Sequence, residues 1–121
     1  MNIPERKSTL RLTHFGHRSK KPYQVTIWFV LVGGELWIGS LDENRGWVRN
    51  LRAGGSGQVD FGAGPLEVVA EELRGETERA THRAAVAAKY PILSRVIAFM
   101  VRGKTPAVFR LRSATDSSVR A

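Results

Sequence analysis

The chain of 121 residues contains no cysteine. Disulfides, thiolate nucleophiles and thiolate metal sites are thereby excluded, and the composition suits a reducing compartment, the cytoplasm. Histidine is scarce, with three in all. His14 and His17 stand at a strand end and turn with no nearby carboxylate, so no metal site is read from them or from His82. No G-x-S-x-G elbow, H-E-x-x-H helix or P-loop is present. The acidic pairs Asp42-Glu43 and Glu71-Glu72 read as a helix start and a solvated strand end, not as paired catalytic carboxylates. No apolar run approaches the roughly 18 residues needed to cross a bilayer. The N-terminus lacks the apolar stretch of a secretory signal. No motif therefore marks a side chain as a nucleophile. If the chain is an enzyme, a bound cofactor carries the hard chemistry and no catalytic residue is named.

What the chain has in excess is positive charge, a formal +8 at pH 7. Residues 1–24 carry six Lys/Arg against Glu5 alone, whereas residues 60–78 carry six Asp/Glu against Arg74. Such a surface favours an anionic partner: nucleic acid, acidic lipid headgroups or a polyanionic cofactor. The apolar fraction of 42% and charged fraction of 25% are those of an ordinary globular domain.

Residues 8–15 alternate loosely and read as a first strand. Tyr23, Val25, Ile27, Phe29 and Leu31 alternate along a longer one, buried on at least one face. Gly33-Gly34 is a two-residue hairpin turn, and residues 35–40 return from it. Asp42 or Asn44 is expected to cap a short helix bearing Trp47, Val48 and Leu51 on one side. Strands at 58–61 and 66–73 follow, then a helix over 76–89. Pro91 separates it from a second helix carrying Ile92, Leu93, Val96, Ile97, Met100 and Val101, stopped by Gly103. Residues 107–112 form a last strand, and 113–121 read as a disordered tail after a single domain of 1–112. Hairpins dominate and no βαβ unit occurs. The fold class is therefore α+β, mainly β: a small antiparallel barrel of about six strands with flanking helices.

The run Gly16-His17-Arg18-Ser19-Lys20-Lys21-Pro22 opens the long strand. It lacks residues that act on a substrate, but suits an anion. Small residues expose backbone N–H groups, and Arg18 and Lys21 add fixed charge. Basic turns are often merely solvated, so the flanking sequence decides. LTHFGHRSKKPYQVTIWFV, then GGELWIGS, then WVRNLRA, together resemble the flavin/deazaflavin oxidoreductase superfamily, specifically the deazaflavin (coenzyme F-420)-dependent nitroreductase family. That pattern runs from a Thr-rich strand end through Gly-x-Lys/Arg-Ser-Gly-Lys-x-Arg and an apolar strand. A strand ending in Ser and a Trp-x-x-Asn-Leu helix follow.

The resemblance implies a split β-barrel with the cofactor in a groove along its wall. Arg18 matches the residue contacting the cofactor phosphate, with Ser19 and Lys21 its loop neighbours. Ser40 matches the strand-end serine. Trp47 and Asn50 match the pair on the helix that closes over the site, and Tyr90 falls where tyrosines approach the substrate. Trp28 and Trp37 read as core and barrel-rim aromatics. Coenzyme F-420 has a phosphodiester and an oligoglutamate tail, a polyanion that Arg18 and Lys21 suit. The family's loop glycine is Lys20 here, its second loop arginine is Tyr23, its proline is Thr26, and Leu41 then Asp42-Glu43 follow Ser40. These departures keep FMN in view as a second cofactor.

The expected activity is hydride transfer from reduced coenzyme to an activated acceptor: a nitro compound, quinone or enone. The alternative is a non-catalytic or FMN-using barrel that sequesters a flavin, deazaflavin or lipid-like anion. No signature of specific nucleic-acid binding is present, although the cationic face suits weak association with an acidic membrane surface. The sequence is compatible with monomer or homodimer.

Overall fold

The computed structural model describes residues 1–100 and 104–114. Six antiparallel strands close a barrel in the order β1-β2-β3-β6-β5-β4. They are β1 (Thr9–Phe15), β2 (Pro22–Val32), β3 (Glu35–Ser40), β4 (Ser56–Asp60), β5 (Pro65–Glu72) and β6 (Ala107–Ser113). The helices are α1 (Gly46–Gly54), α2 (Glu76–Lys89) and α3 (Pro91–Met100). The expected class and element order are those of the structure. Strand β6 runs on to Ser113, paired with Val68, so the barrel extends past residue 112. Residues 115–121 of the expected tail, Val101 and the expected helix stop at Gly103 lie outside the described residues.

Alternation in β2 carries Ile27 and Phe29 into the barrel, where they meet Leu12, Ile38, Val59 and Phe109. Each such side chain contributes roughly 1.5–3 kcal/mol on burial. A second, smaller core lies on the outside of the wall. There Val30, Trp37, Leu73 and Val108 are covered by Ala85, Val86 and Tyr90 from α2 and its end. The Gly33-Gly34 turn closes the β2–β3 hairpin with positive φ at both residues, +57° and +82°, which glycine adopts without strain.

Two expectations about local structure need correction. Helix α1 is capped by neither Asp42 nor Asn44. It starts after Arg45, which makes no side-chain cap, because the Asp42 carboxylate accepts the Asn44 backbone N–H at 3.0 Å in a turn before the helix. Glu72 is no solvated strand end either. Its carboxylate takes a two-pronged contact from Arg52, both bonds 2.8 Å, which ties α1 to β5. Those hydrogen bonds hold its pKa below the ordinary carboxylate value.

The wall is split along β2. From Pro22 to Trp28 this strand pairs with β1, and from Phe29 to Val32 with β3. Among the described residues, Gly39 and Ser40, at the end of β3, pair only with Val108 and Ala107 of β6. The first half of β2 therefore presents an open edge.

Candidate functional site

Two groups of side chains lie along that edge, one at the start of β2 and one at its midpoint. They are six residues apart, about 20 Å at ~3.3 Å per residue.

The first is the hairpin between β1 and β2. The Gly16 N–H donates to the Lys21 carbonyl and the Lys20 N–H to the Gly16 carbonyl, both at 2.9 Å. The Lys21 N–H donates to Ser19 Oγ at 3.2 Å. Lys20 sits at φ +61°, a left-handed backbone that costs a side-chain-bearing residue roughly 1–2 kcal/mol. Arg18, Lys20 and Lys21 are exposed, and none enters an ion pair among the described residues.

Asn50 of α1 holds this hairpin in place. Its Oδ1 accepts the His17 backbone N–H at 3.2 Å and His17 Nδ1–H at 3.1 Å. A backbone N–H only donates, so it fixes the amide with Oδ1 toward His17 and Nδ2 toward His14. Nδ2 then donates to His14 Nδ1 at 2.9 Å, which makes His14 an acceptor there. His14 is buried, with its ring stacked on Tyr23 at 5.8 Å, and burial lowers its pKa. Asn50 thus joins two histidines and the cationic turn.

The second group surrounds a cavity of about 500 Å³ between α2 and the split. Trp28, Phe29 and Val30 of β2 face Gly39, Ser40 and Leu41 across it. Helix α2 supplies His82 and Val86 one turn apart, and Tyr90 follows in the same phase; Lys104 and Pro106 close the far side. The Tyr90 ring packs on Trp28 with centroids 5.9 Å apart. Its hydroxyl lies 2.9 Å from the Phe29 carbonyl and 2.5 Å from that of Ser8. Lys89 Nζ also donates to the Phe29 carbonyl, at 3.0 Å. Tyr90 and Lys89 therefore clip the backbone where β2 leaves one neighbour for the other. Ser40 Oγ accepts the Asp42 N–H at 3.1 Å and donates to the Asp42 carbonyl at 2.7 Å.

The His82 imidazole lies against Gly39. A Cβ on residue 39 would come within 2.4 Å of Cε1 and 2.8 Å of Nε2. Burial, with a smaller contribution from the Arg83 charge, lowers the His82 pKa to about 4. The ring is neutral at pH 7.

The residues named from the sequence thus divide three ways. Arg18, Ser19, Lys21 and Asn50 gather at the hairpin, while Ser40 and Tyr90 line the cavity. Trp47 joins neither. It is buried in the core beside Phe109, with centroids 5.9 Å apart, because the apolar face of α1 packs onto the barrel end. Trp28 and Trp37, read as core and barrel-rim aromatics, part company: Trp37 is buried, whereas Trp28 is 39% exposed and lines the cavity. The acidic residues beside Ser40 face other cations, Glu43 meeting Arg52 at 3.1 Å and Asp42 Lys104 at 3.8 Å. His82 carries no sequence signal, since its importance rests on a glycine 43 positions earlier.

Among the described residues, no three His, Asp or Glu side chains converge as a metal site. None of the described helices is long and apolar enough to cross a membrane.

Comparison with known proteins supplies the family. The fold is shared with an F420-H2 dependent reductase (FDR-A), at TM-score 0.69 and 21% identity over 93% of this chain and 99% of that one. HutZ, the heme storage protein of Vibrio cholerae, matches at TM-score 0.69 and 15% identity, over 88% and 81% of the two chains. A putative pyridoxamine 5'-phosphate oxidase from Listeria innocua matches at TM-score 0.64 and 12% identity, over 90% and 86%. Such likenesses show the barrel and not its chemistry. No curated protein sequence gives a significant match. A family model described as F420H(2)-dependent quinone reductase matches residues 2–100, and the chain belongs to that family.

Proposed function

We propose that the chain binds coenzyme F-420 along the open edge of β2 and uses its reduced form to reduce a quinone or related acceptor in the cavity beside α2. The observation that carries this reading is the pairing, on one strand, of a cationic turn with no carboxylate of its own and an apolar cavity. The donor set fits the cofactor. Arg18, Lys20 and Lys21, exposed and in no ion pair among the described residues, suit the phosphodiester and the glutamate tail, and Asn50 of α1 holds their loop. The wall formed by Trp28, Leu41 and Val86 suits the flat ring of the acceptor. When bound in its reduced form, the deazaflavin supplies the hydride. The protein's part is to orient ring and acceptor and to exclude water.

A second reading draws on Ser40. Its hydroxyl is taken up by the Asp42 backbone instead of facing a phosphate, which suits a barrel that sequesters a flavin, deazaflavin or lipid-like anion without turnover. One titration separates the readings. Oxidised F-420 and FMN are each added to the purified protein and followed by fluorescence, at low and at high salt. F-420 is expected to bind more tightly, to weaken with salt, and to lose about 10-fold or more in affinity in Arg18→Ala and Lys21→Ala. Reduced F-420 is then oxidised by added quinone only with the protein present. Tight binding without quinone-dependent oxidation favours sequestration, and no F-420 binding at high micromolar concentration removes the first reading.

A further inference from the structure

Most polar side chains around the cavity are already committed. Ser40 Oγ bonds the Asp42 backbone, and the Tyr90 hydroxyl serves the Phe29 and Ser8 carbonyls. Arg83 is paired with Glu76 at 3.1 Å and Lys104 with Asp42 at 3.8 Å. The exceptions are the Trp28 indole N–H, at the cavity's exposed rim, and the His82 imidazole, packed on Gly39 with neither ring nitrogen partnered among the described residues. A neutral imidazole offers one N–H donor and one bare nitrogen. The ring is half-buried, and a ligand oxygen in the cavity supplies the partner that the protein does not.

We propose that His82 is the acceptor-recognition residue, its ring N–H donating a hydrogen bond to a carbonyl oxygen of a flat, uncharged quinone or enone held between Trp28, Leu41 and Val86. This rests on the reading that reduced deazaflavin is the electron donor. In the step, a C–H bond of the donor breaks and its electron pair passes with the hydrogen to the acceptor. The deazaflavin is oxidised, the acceptor is reduced, and negative charge collects on the acceptor's carbonyl oxygen. A proton from water completes the product. His82 keeps its own proton throughout, and its hydrogen bond strengthens as the charge grows. Removing a donor of this kind lowers kcat by about 100-fold or more. Among the described residues, the charged and titratable groups that line the cavity with the imidazole are Arg83 on its own helix, Tyr90 at that helix's end and Lys104 across the cavity. None of them is an anion that would draw a proton onto His82.

The test uses His82→Leu and His82→Gln beside the unaltered protein. Affinity for F-420 is expected to stay within 2-fold in both variants, showing that the hairpin grip and the fold survive. With a soluble naphthoquinone as acceptor, His82→Leu is expected to lose about 100-fold in kcat, and His82→Gln, which keeps an N–H donor, to recover most of that loss. A readout free of turnover uses the unaltered protein without coenzyme. Oxidised naphthoquinone should quench tryptophan fluorescence and shift the His82 ring nitrogen NMR signals, while those of His14 and His17 stay in place. Quinone binding that leaves the His82 signals unmoved, or a His82→Leu variant that reduces quinone at the unaltered rate, overturns the proposal. Failure of F-420 to bind the unaltered protein overturns the reading of the function instead. The quinone-binding experiment then still decides the role of His82.

Discussion

A single methyl group at residue 39 would show whether the cavity is built around the imidazole. Gly39 lies in β3, paired with Val108, without the positive φ that reserves a position for glycine. Alanine in such a strand is ordinarily better than glycine by roughly 0.5–1 kcal/mol. Here its Cβ would meet His82 Cε1 at 2.4 Å, where ordinary contact begins at 3.4 Å. The ring must withdraw by that difference, 1.0 Å, from its seat on the β3 backbone, at about 1–3 kcal/mol. Gly39→Ala should therefore destabilise the protein by a net ~1 kcal/mol, a fall of about 5 °C in Tm. With the imidazole removed the sign should reverse, so that Gly39→Ala in a His82→Ala background stabilises by roughly 0.5 kcal/mol. Thermal melts of the four proteins at pH 7.5 measure this as a double-mutant cycle. An effect of Gly39→Ala equal in the two backgrounds to within about 0.5 kcal/mol would refute the reasoning.

Lys20→Gly should raise stability by about 1 kcal/mol, since the left-handed backbone at φ +61° no longer carries a side chain. The same change should weaken F-420 binding through the lost charge; urea unfolding and the coenzyme titration check the two halves. Asn50→Ala should lower stability by about 1–3 kcal/mol and loosen the cationic turn, because it removes the donor to buried His14 and unties the exposed His17 N–H from α1. Hydrogen exchange at residues 16–21 reports the loosening, and unchanged exchange would count against the anchoring role. Acid should weaken the fold in a defined window. The unfolded chain takes a proton on His82 below pH 6.5 and the folded chain only below about 4. Stability from this group is therefore complete above pH 6.5 and lost as the pH falls toward 4, by up to about 3 kcal/mol. His14 acts in the same direction. His82→Gln should flatten that part of the pH profile in urea unfolding.

The barrel was legible because its signals are local. The alternation through β2, the Gly33-Gly34 turn and the order of hairpins each rest on neighbours in the sequence. The cationic turn was legible for the same reason. The cavity was not, because it belongs to the point where β2 changes partners, which no local pattern records. Trp28 and Trp47 are alike as sequence, yet one faces the split and the other lies beneath α1. The commitments of Ser40 and Tyr90 to backbone carbonyls depend on Asp42, Ser8 and Phe29 lying where they do. His82 becomes visible only when Gly39 is set beneath it.

The open edge of β2 also bears on how copies of the chain behave toward one another. Among the described residues, the stretch from Pro22 to Trp28 pairs with β1 alone, and a row of backbone groups left unpaired by any strand invites one from another molecule. Pro22 removes one donor from that row, and the three cations next to it repel an identical edge. The charges that would hold the coenzyme's tail therefore also guard the empty protein against sticking to itself. A variant stripped of Arg18, Lys20 and Lys21 together would be exposed to self-association as well as weakened in binding, and at high salt the unaltered chain would share the first of these defects.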